Sequence, residues 1–171
     1  SDGGYIIGGT KAIESMYHTY MVRIDAMGDT LWTHFSTVDS VQGQTAIEVA
    51  DGGYIITGYK SGISSSGNPD RNVFLLKTDF AGNELWSKEF GGDQWDEGFS
   101  VEEAANGDLL IAGYTKSYGS GDYDVYLIKT DSNGGLIWEK TFGTPALEKG
   151  YALSTTPDCN YVISGVQNLG V

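Results

Sequence analysis

Four segments of the 171-residue chain carry the same nine-residue pattern. They are Asp2-Gly-Gly-Tyr-Ile-Ile-Gly-Gly-Thr10, Asp51-Gly-Gly-Tyr-Ile-Ile-Thr-Gly-Tyr59, Asn106-Gly-Asp-Leu-Leu-Ile-Ala-Gly-Tyr114 and Asp158-Cys-Asn-Tyr-Val-Ile-Ser-Gly-Val166, with starts 49, 55 and 52 residues apart. A second motif keeps the same register: Tyr20-Met-Val-Arg-Ile-Asp25, Val73-Phe-Leu-Leu-Lys-Thr-Asp79 and Val125-Tyr-Leu-Ile-Lys-Thr-Asp131. A third follows it, in Leu31-Trp32, Leu85-Trp86 and Ile137-Trp138, with Phe35, Phe90 and Phe142 a few residues on. Three motifs in fixed order at a period of about 50 residues mean that one supersecondary unit is being stacked.

Each unit divides into four short strands, A to D. Strand A precedes the glycine-rich turn, as in Gly98–Ala105, and strand B is the Tyr-Ile-Ile run. Asp51-Gly52 and Asn106-Gly107 between them supply the positive φ of a tight hairpin. Strand C is the Val-Tyr-Leu-Ile-Lys-Thr run and strand D carries the tryptophan. Between C and D, Asp25, Asp79 and Asp131 stand three residues before Gly28, Gly82 and Gly134. That spacing fits a type I turn capped by the Asp side chain, so these carboxylates are expected in the turn and not on a metal. Trp32, Trp86 and Trp138 are expected to pack between neighbouring units, and Arg23, Lys77 and Lys129 to face solvent. The fold class is all-β. The order B-C-D, A-B-C-D, A-B-C-D, A-B gives about 13 strands, in about three four-stranded antiparallel repeats bounded near 2–50, 51–105 and 106–157, with a terminal pair at 158–171.

Four antiparallel strands per unit are the make-up of a β-propeller blade. The succession Asp-Gly-Gly-Tyr-Ile-Ile-x-Gly, Val-Tyr-Leu-Ile-Lys-Thr-Asp-x-x-Gly-x-Leu-x-Trp and Lys-Thr-Phe-Gly resembles the repeats of secreted bacterial and archaeal β-propeller proteins, similar in outline to WD40 and PQQ-type blades. The resemblance is clearest over residues 51–143 and weakens in the first repeat, at Thr33 and His34. No Trp-Asp dipeptide closes strand C, so the pattern departs from WD40 repeats proper. The resemblance implies a propeller and an extracellular or cell-surface setting, and it carries no activity, because such folds host many functions. Propellers close with typically 4–8 blades, so the chain is expected either to belong to a longer propeller or to complete a ring as a homo-oligomer. The chain begins at Ser1, and any signal peptide is expected to have been removed or to lie outside this sequence.

Charge narrows the partners. Ten basic residues face 23 acidic ones, for a net charge of −13. A phosphate backbone needs a Lys/Arg surface, so nucleic acid is excluded as a partner, and an anionic membrane surface would be repelled. No stretch reaches the roughly 20 apolar residues of a membrane helix, so no direct membrane insertion is expected. Cys159 is the one cysteine, so an intrachain disulfide is impossible. It stands where other repeats have a turn glycine, which suggests exposure.

In an up-and-down unit the B–C and D–A loops share one face. Those at Lys11–Thr19, Lys60–Asn72, Thr115–Asp124, Ser36–Gly43, Gly91–Gly98 and Gly143–Gly150 vary in length and sequence, and varied loops on a rigid scaffold carry function. The candidate ligand-binding residues there are Asp93, Trp95, Asp96, Glu97, Tyr118, Asp122, Tyr123 and Asp124. Trp95 leads because it falls outside the repeated tryptophan register, although burial against a sheet edge would also explain it. Aromatic faces with carboxylates suit a glycan, and suit a protein equally. No cofactor is expected. Asp122-x-Asp124 and Asn68-x-Asp70-x-Asn72 offer calcium-type oxygens, but neither continues to a distal Glu. His18, His34 and Cys159 lack zinc-ligand spacing. No Gly-x-Ser-x-Gly elbow, His-Glu-x-x-His pair or phosphate loop occurs. A non-catalytic binding scaffold is therefore the leading reading. The alternatives are a carbohydrate-active hydrolase using loop carboxylates and a structural component of a surface layer or filament.

Overall fold

A computed structural model describes residues 3–156, 158 and 160–168. Cys159 and the first Asp of the repeat, Asp2, lie outside the described residues. Every regular element among the described residues is a strand: β1 (Tyr5–Ile13), β2 (Met16–Ile24), β3 (Thr30–Phe35), β4 (Val41–Glu48), β5 (Tyr54–Ile63), β6 (Pro69–Thr78), β7 (Glu84–Phe90), β8 (Asp96–Glu103), β9 (Leu109–Thr115), β10 (Asp124–Thr130), β11 (Leu136–Phe142), β12 (Leu147–Thr155) and β13 (Tyr161–Asn168). They form four antiparallel sheets: I (β1-β2-β3), II (β4-β5-β6-β7), III (β8-β9-β10-β11) and IV (β12-β13).

Two sheets have four strands, not about three. The A–B hairpin explains the difference. Val49 N–H donates to Gly53 O (3.2 Å) and Ala104 N–H to Asp108 O (2.8 Å), tying each strand A to the strand B that follows it. Sequence repeats that begin at Asp51 or Asn106 therefore cut each sheet between its first and second strands. Among the described residues the sheets stack in chain order and do not close into a ring.

Each stacking interface is a core of its own. Met21 and Trp32 of sheet I meet Tyr54, Ile56, Phe74 and Leu76 of sheet II. Val73, Leu75 and Trp86 of sheet II meet Ile111, Tyr126 and Ile128 of sheet III. Leu110, Leu127 and Trp138 of sheet III meet Leu153, Tyr161 and Ile163 of sheet IV. The repeated tryptophans thus pack between sheets, as the sequence suggests. First strands also bond across the stack, with Thr10 Oγ1 donating to Gly43 O (3.3 Å) and Thr45 Oγ1 to Phe99 O (2.6 Å).

The C–D turns follow the expected chemistry. Asp25 Oδ1 accepts from the N–H groups of Met27 (2.8 Å) and Asp29 (2.9 Å), and Asp79 and Asp131 repeat the arrangement. Gly28, Gly82 and Gly134 hold φ of 90°, 86° and 75°, where a side chain would be strained.

The strand C cations do not face solvent. Arg23 is 1% exposed and Lys77 4%. Arg23 Nε donates to Tyr54 Oη (2.9 Å), Lys77 pairs with Asp51, and Lys129 Nζ lies 2.8 Å from Asp108 Oδ2. A buried cation requires a partner, and the A–B turn places one within reach.

Two of the expected long loops are mostly strand. Lys11–Thr19 is a hairpin with a two-residue turn, Glu14 and Ser15, at φ of 49° and 72°. Lys60–Asn72 pairs from Lys60↔Asn72 out to Ile63↔Pro69, leaving only 64–68 as loop. Once two strands hold register, pairing continues past the point where the repeat motif fades.

Candidate functional site

A groove of about 430 Å³ opens between the loops of sheets II and III. One wall is Ser66, Asn68 and Pro69 from the β5–β6 turn; the other is Asp93, Gln94 and Trp95 from the β7–β8 loop. Lys116 and Tyr123 from the β9–β10 loop close it. The loops are stitched by backbone bonds that act like short strand pairings: Arg71 N–H to Gln94 O (3.0 Å) and Lys116 N–H to Trp95 O (2.9 Å). Gln94 adds two bonds to the next loop, from its N–H to Ser117 Oγ (3.0 Å) and from Nε2 to Lys116 O (3.0 Å).

Trp95 is the largest exposed group of the groove, 39% accessible. Its Nε1 donates to Pro69 O (3.4 Å), and its ring covers the Arg71 guanidinium at 4.5 Å. The Tyr59 ring also lies 4.6 Å from the Arg71 guanidinium, which pairs with Glu97. A guanidinium in contact with two rings and a carboxylate has little freedom, so it gives the Trp95 ring a fixed support.

The chain places the other expected site residues differently. Asp93 borders the groove and accepts from Ser65 Oγ (2.8 Å). Tyr123 borders it too, with the Lys149 ammonium 3.9 Å from its ring and Lys116 5.1 Å away. Asp122 reaches the rim through an ion pair with Lys116 (2.5 Å). Tyr118 turns away, donating to Gly91 O (2.7 Å) and lying beside Tyr126 in a separate depression.

Asp96, Glu97 and Asp124 are not loop carboxylates; each belongs to the first two residues of a strand and is buried. Asp96, at 0% exposure, accepts from Thr115 Oγ1, Ser117 Oγ (2.6 Å), Gly92 N–H (2.8 Å) and Ser117 N–H (3.3 Å). Glu97 serves Arg71 and the Tyr114 phenol, and burial together with that bond pushes the phenol's pKa up. Asp124 Oδ2 accepts from Ser120 N–H (3.0 Å), folding the β9–β10 loop back on its strand. These carboxylates are buried and engaged in internal hydrogen bonds or ion pairs.

Neither calcium-type spacing converges. Asp70 and Asn72 lie on β6, where alternate side chains stand about 6.6 Å apart and run parallel. Asn68 is engaged in its own turn, with Nδ2 donating to Ser66 Oγ (3.1 Å). Asp122 points outward to Lys116 while Asp124 points inward. Among the described residues no three His, Cys, Asp or Glu side chains gather as a metal set.

Arg71, Lys116 and Lys149 were missed by motif reasoning. Arg71 is one of two arginines and sits inside Asn68-x-Asp70-x-Asn72, where the oxygen-bearing neighbours drew attention from it. Lys149 Nζ lies 4.0 Å from the Tyr114 ring and 3.9 Å from that of Tyr123, and burial pushes its pKa down. No protein-family model matches the chain, and comparison with curated proteins returns no match.

Proposed function

We propose that this chain is part of a propeller-type repeat scaffold, displayed outside the cell, whose II/III groove binds a glycan without catalysis. The observation that carries the reading is Trp95, an exposed ring locked against Arg71 on the wall of a groove otherwise edged by Asp93, Asn68, Ser66 and Lys116. A flat aromatic face takes the C–H face of a sugar, and short polar side chains beside it take the hydroxyls. The same geometry would serve as an aromatic anchor for a protein partner, which is the competing outcome of the test.

The hydrolase alternative asks for two carboxylates facing a glycosidic bond. Asp96, Glu97 and Asp124 are spent on internal hydrogen bonds and ion pairs, which favours binding over turnover. The test is a glycan array followed by calorimetry on Trp95→Ala and Asp93→Asn. Trp95→Ala is expected to weaken the selected glycan at least about tenfold, corresponding to ~1.4 kcal/mol, with no sugar released. Unchanged affinity in Trp95→Ala, or release of reducing sugar, would overturn the reading.

A further inference from the structure

The II/III groove is polarised from one end to the other. At the sheet II end stand Ser66 and Asn68 of the β5–β6 turn, with Asp93 beside them accepting from Ser65 Oγ (2.8 Å). At the sheet III end stand Lys116 and Tyr123. Two ammonium groups lie over the Tyr123 ring, Lys149 Nζ at 3.9 Å and Lys116 Nζ at 5.1 Å. Only 10 of the chain's 33 charged residues are basic, so two lysines on one ring at the end of a groove form a local exception to the acidic remainder.

These cations act on one another. Burial pushes the Lys149 pKa down; Glu97 and Asp122 draw it up, and the Lys116 and Arg71 charges add to the lowering. Lys116 pairs with Asp122 at 2.5 Å, but the two side chains are 37% and 53% exposed. An ion pair so open to water contributes little and is easily exchanged for another.

The spacing of ring and cation is set by the backbone. Lys116 N–H donates to Trp95 O (2.9 Å), and Gln94 Nε2 donates to Lys116 O (3.0 Å). The segments that carry the exposed indole and the Lys116 ammonium are therefore bonded to each other. A pyranose lying on the indole directs its substituents outward from its edge, toward Lys116 at one end and Asp93 at the other.

We propose that the ligand of this groove is an acidic glycan, whose anionic group (a uronate carboxylate or a sulfate ester) pairs with Lys116 in place of Asp122. Its neutral hydroxyls donate to Asp93 and face Ser66 and Asn68, and Lys149 adds a second positive charge beside Tyr123. The proposal rests on the glycan reading above and adds the charge of the ligand and its direction in the groove. The net charge of −13 does not prevent it, because exposed charges farther than about 8 Å away are largely screened at physiological salt, whereas an ammonium touching the anion is not.

The test is calorimetry with matched pairs of oligosaccharides. Galacturonate, alginate and hyaluronan fragments are each compared with the methyl-esterified form, and a sulfated galactan fragment with its desulfated form. In at least one pair the charged member is expected to bind at least about tenfold tighter, and the pair that responds tells carboxylate from sulfate. Lys116→Met should bring that preference within about threefold while leaving the neutral member's affinity nearly unchanged. Asp122→Asn, which removes the competing carboxylate, should tighten the charged member by about threefold. Lys140→Met makes the same change in net charge on β11, where Lys140 lies over Trp138, and should keep the preference. Neutral members that bind as tightly as charged ones and depend on Trp95 would overturn this proposal alone. So would a preference that survives Lys116→Met, or weaker binding of the charged member to Asp122→Asn. Absence of binding to every glycan, charged and neutral alike, would overturn the glycan reading and this proposal with it.

Discussion

Lys77 is 4% exposed while the side chain of its partner Asp51 is 59% exposed, and that asymmetry decides which half of the pair matters. Removing Asp51 leaves an ammonium buried beneath the A–B turn without a counter-charge. Removing Lys77 leaves a carboxylate that water already reaches. Asp51→Ala is therefore expected to cost about 3 kcal/mol, the lower end for a stranded buried charge. Lys77→Met, which keeps the aliphatic stem, should cost within about 1 kcal/mol. Urea unfolding of both variants checks the order, and a larger loss from Lys77→Met would mean that the ammonium's hydrogen bonds dominate. Arg71 is built on the same logic, with Glu97 almost fully buried and the guanidinium capped by rings.

At the scale of the element, Trp32 and Trp86 are each covered by the C–D turn of the following sheet. Gly82 sits over Trp32 and Gly134 over Trp86, so closely that a Cβ at either would touch the indole. Trp138 has no such turn above it among the described residues. Trp86→Ala is accordingly expected to cost about 3 kcal/mol, and Trp138→Ala distinctly less, measured as a shift in denaturation midpoint. Equal losses would mean that the indole is held by its own sheet and not by the next. The turns and tryptophans were legible in the sequence because local chemistry dictates them: Asp79 and Gly82 need nothing beyond their own turn. Asp96, Glu97 and Asp124 were misread as loop carboxylates because their surroundings are built by pairing. Thr115, which bonds Asp96, lies opposite it at the far end of the β8–β9 pair, 19 positions on in the chain, with Ser117 just beyond. Of the expected ligand face, Trp95, Asp93, Tyr123 and Asp122 lie at one groove, and Arg71 became visible only when the β5–β6 strands were seen to extend beyond the motif.

For the whole molecule, stacking in chain order makes stability a sum over neighbouring sheets. Sheets II and III are covered on both faces, and their second strands, β5 and β9, are buried along nearly their whole length. Among the described residues, sheets I and IV are covered on one face only. Tyr5 and Ile7 of β1 and Val162 and Val166 of β13 are at least half exposed. Opening sheet IV gives up one interface, and opening sheet III gives up two, so local unfolding should proceed from the ends of the stack inward. Native-state hydrogen exchange is expected to rank the amides accordingly. Tyr54–Tyr59 and Leu109–Thr115 should exchange slowest, and Tyr161–Gln167 and Tyr5–Gly9 at least about tenfold faster. Mild denaturant should erase protection in the end sheets before it touches the middle two. A single exchange rate shared by all four sheets would show instead that the stack opens only as one cooperative unit, with the end sheets fully coupled to the middle.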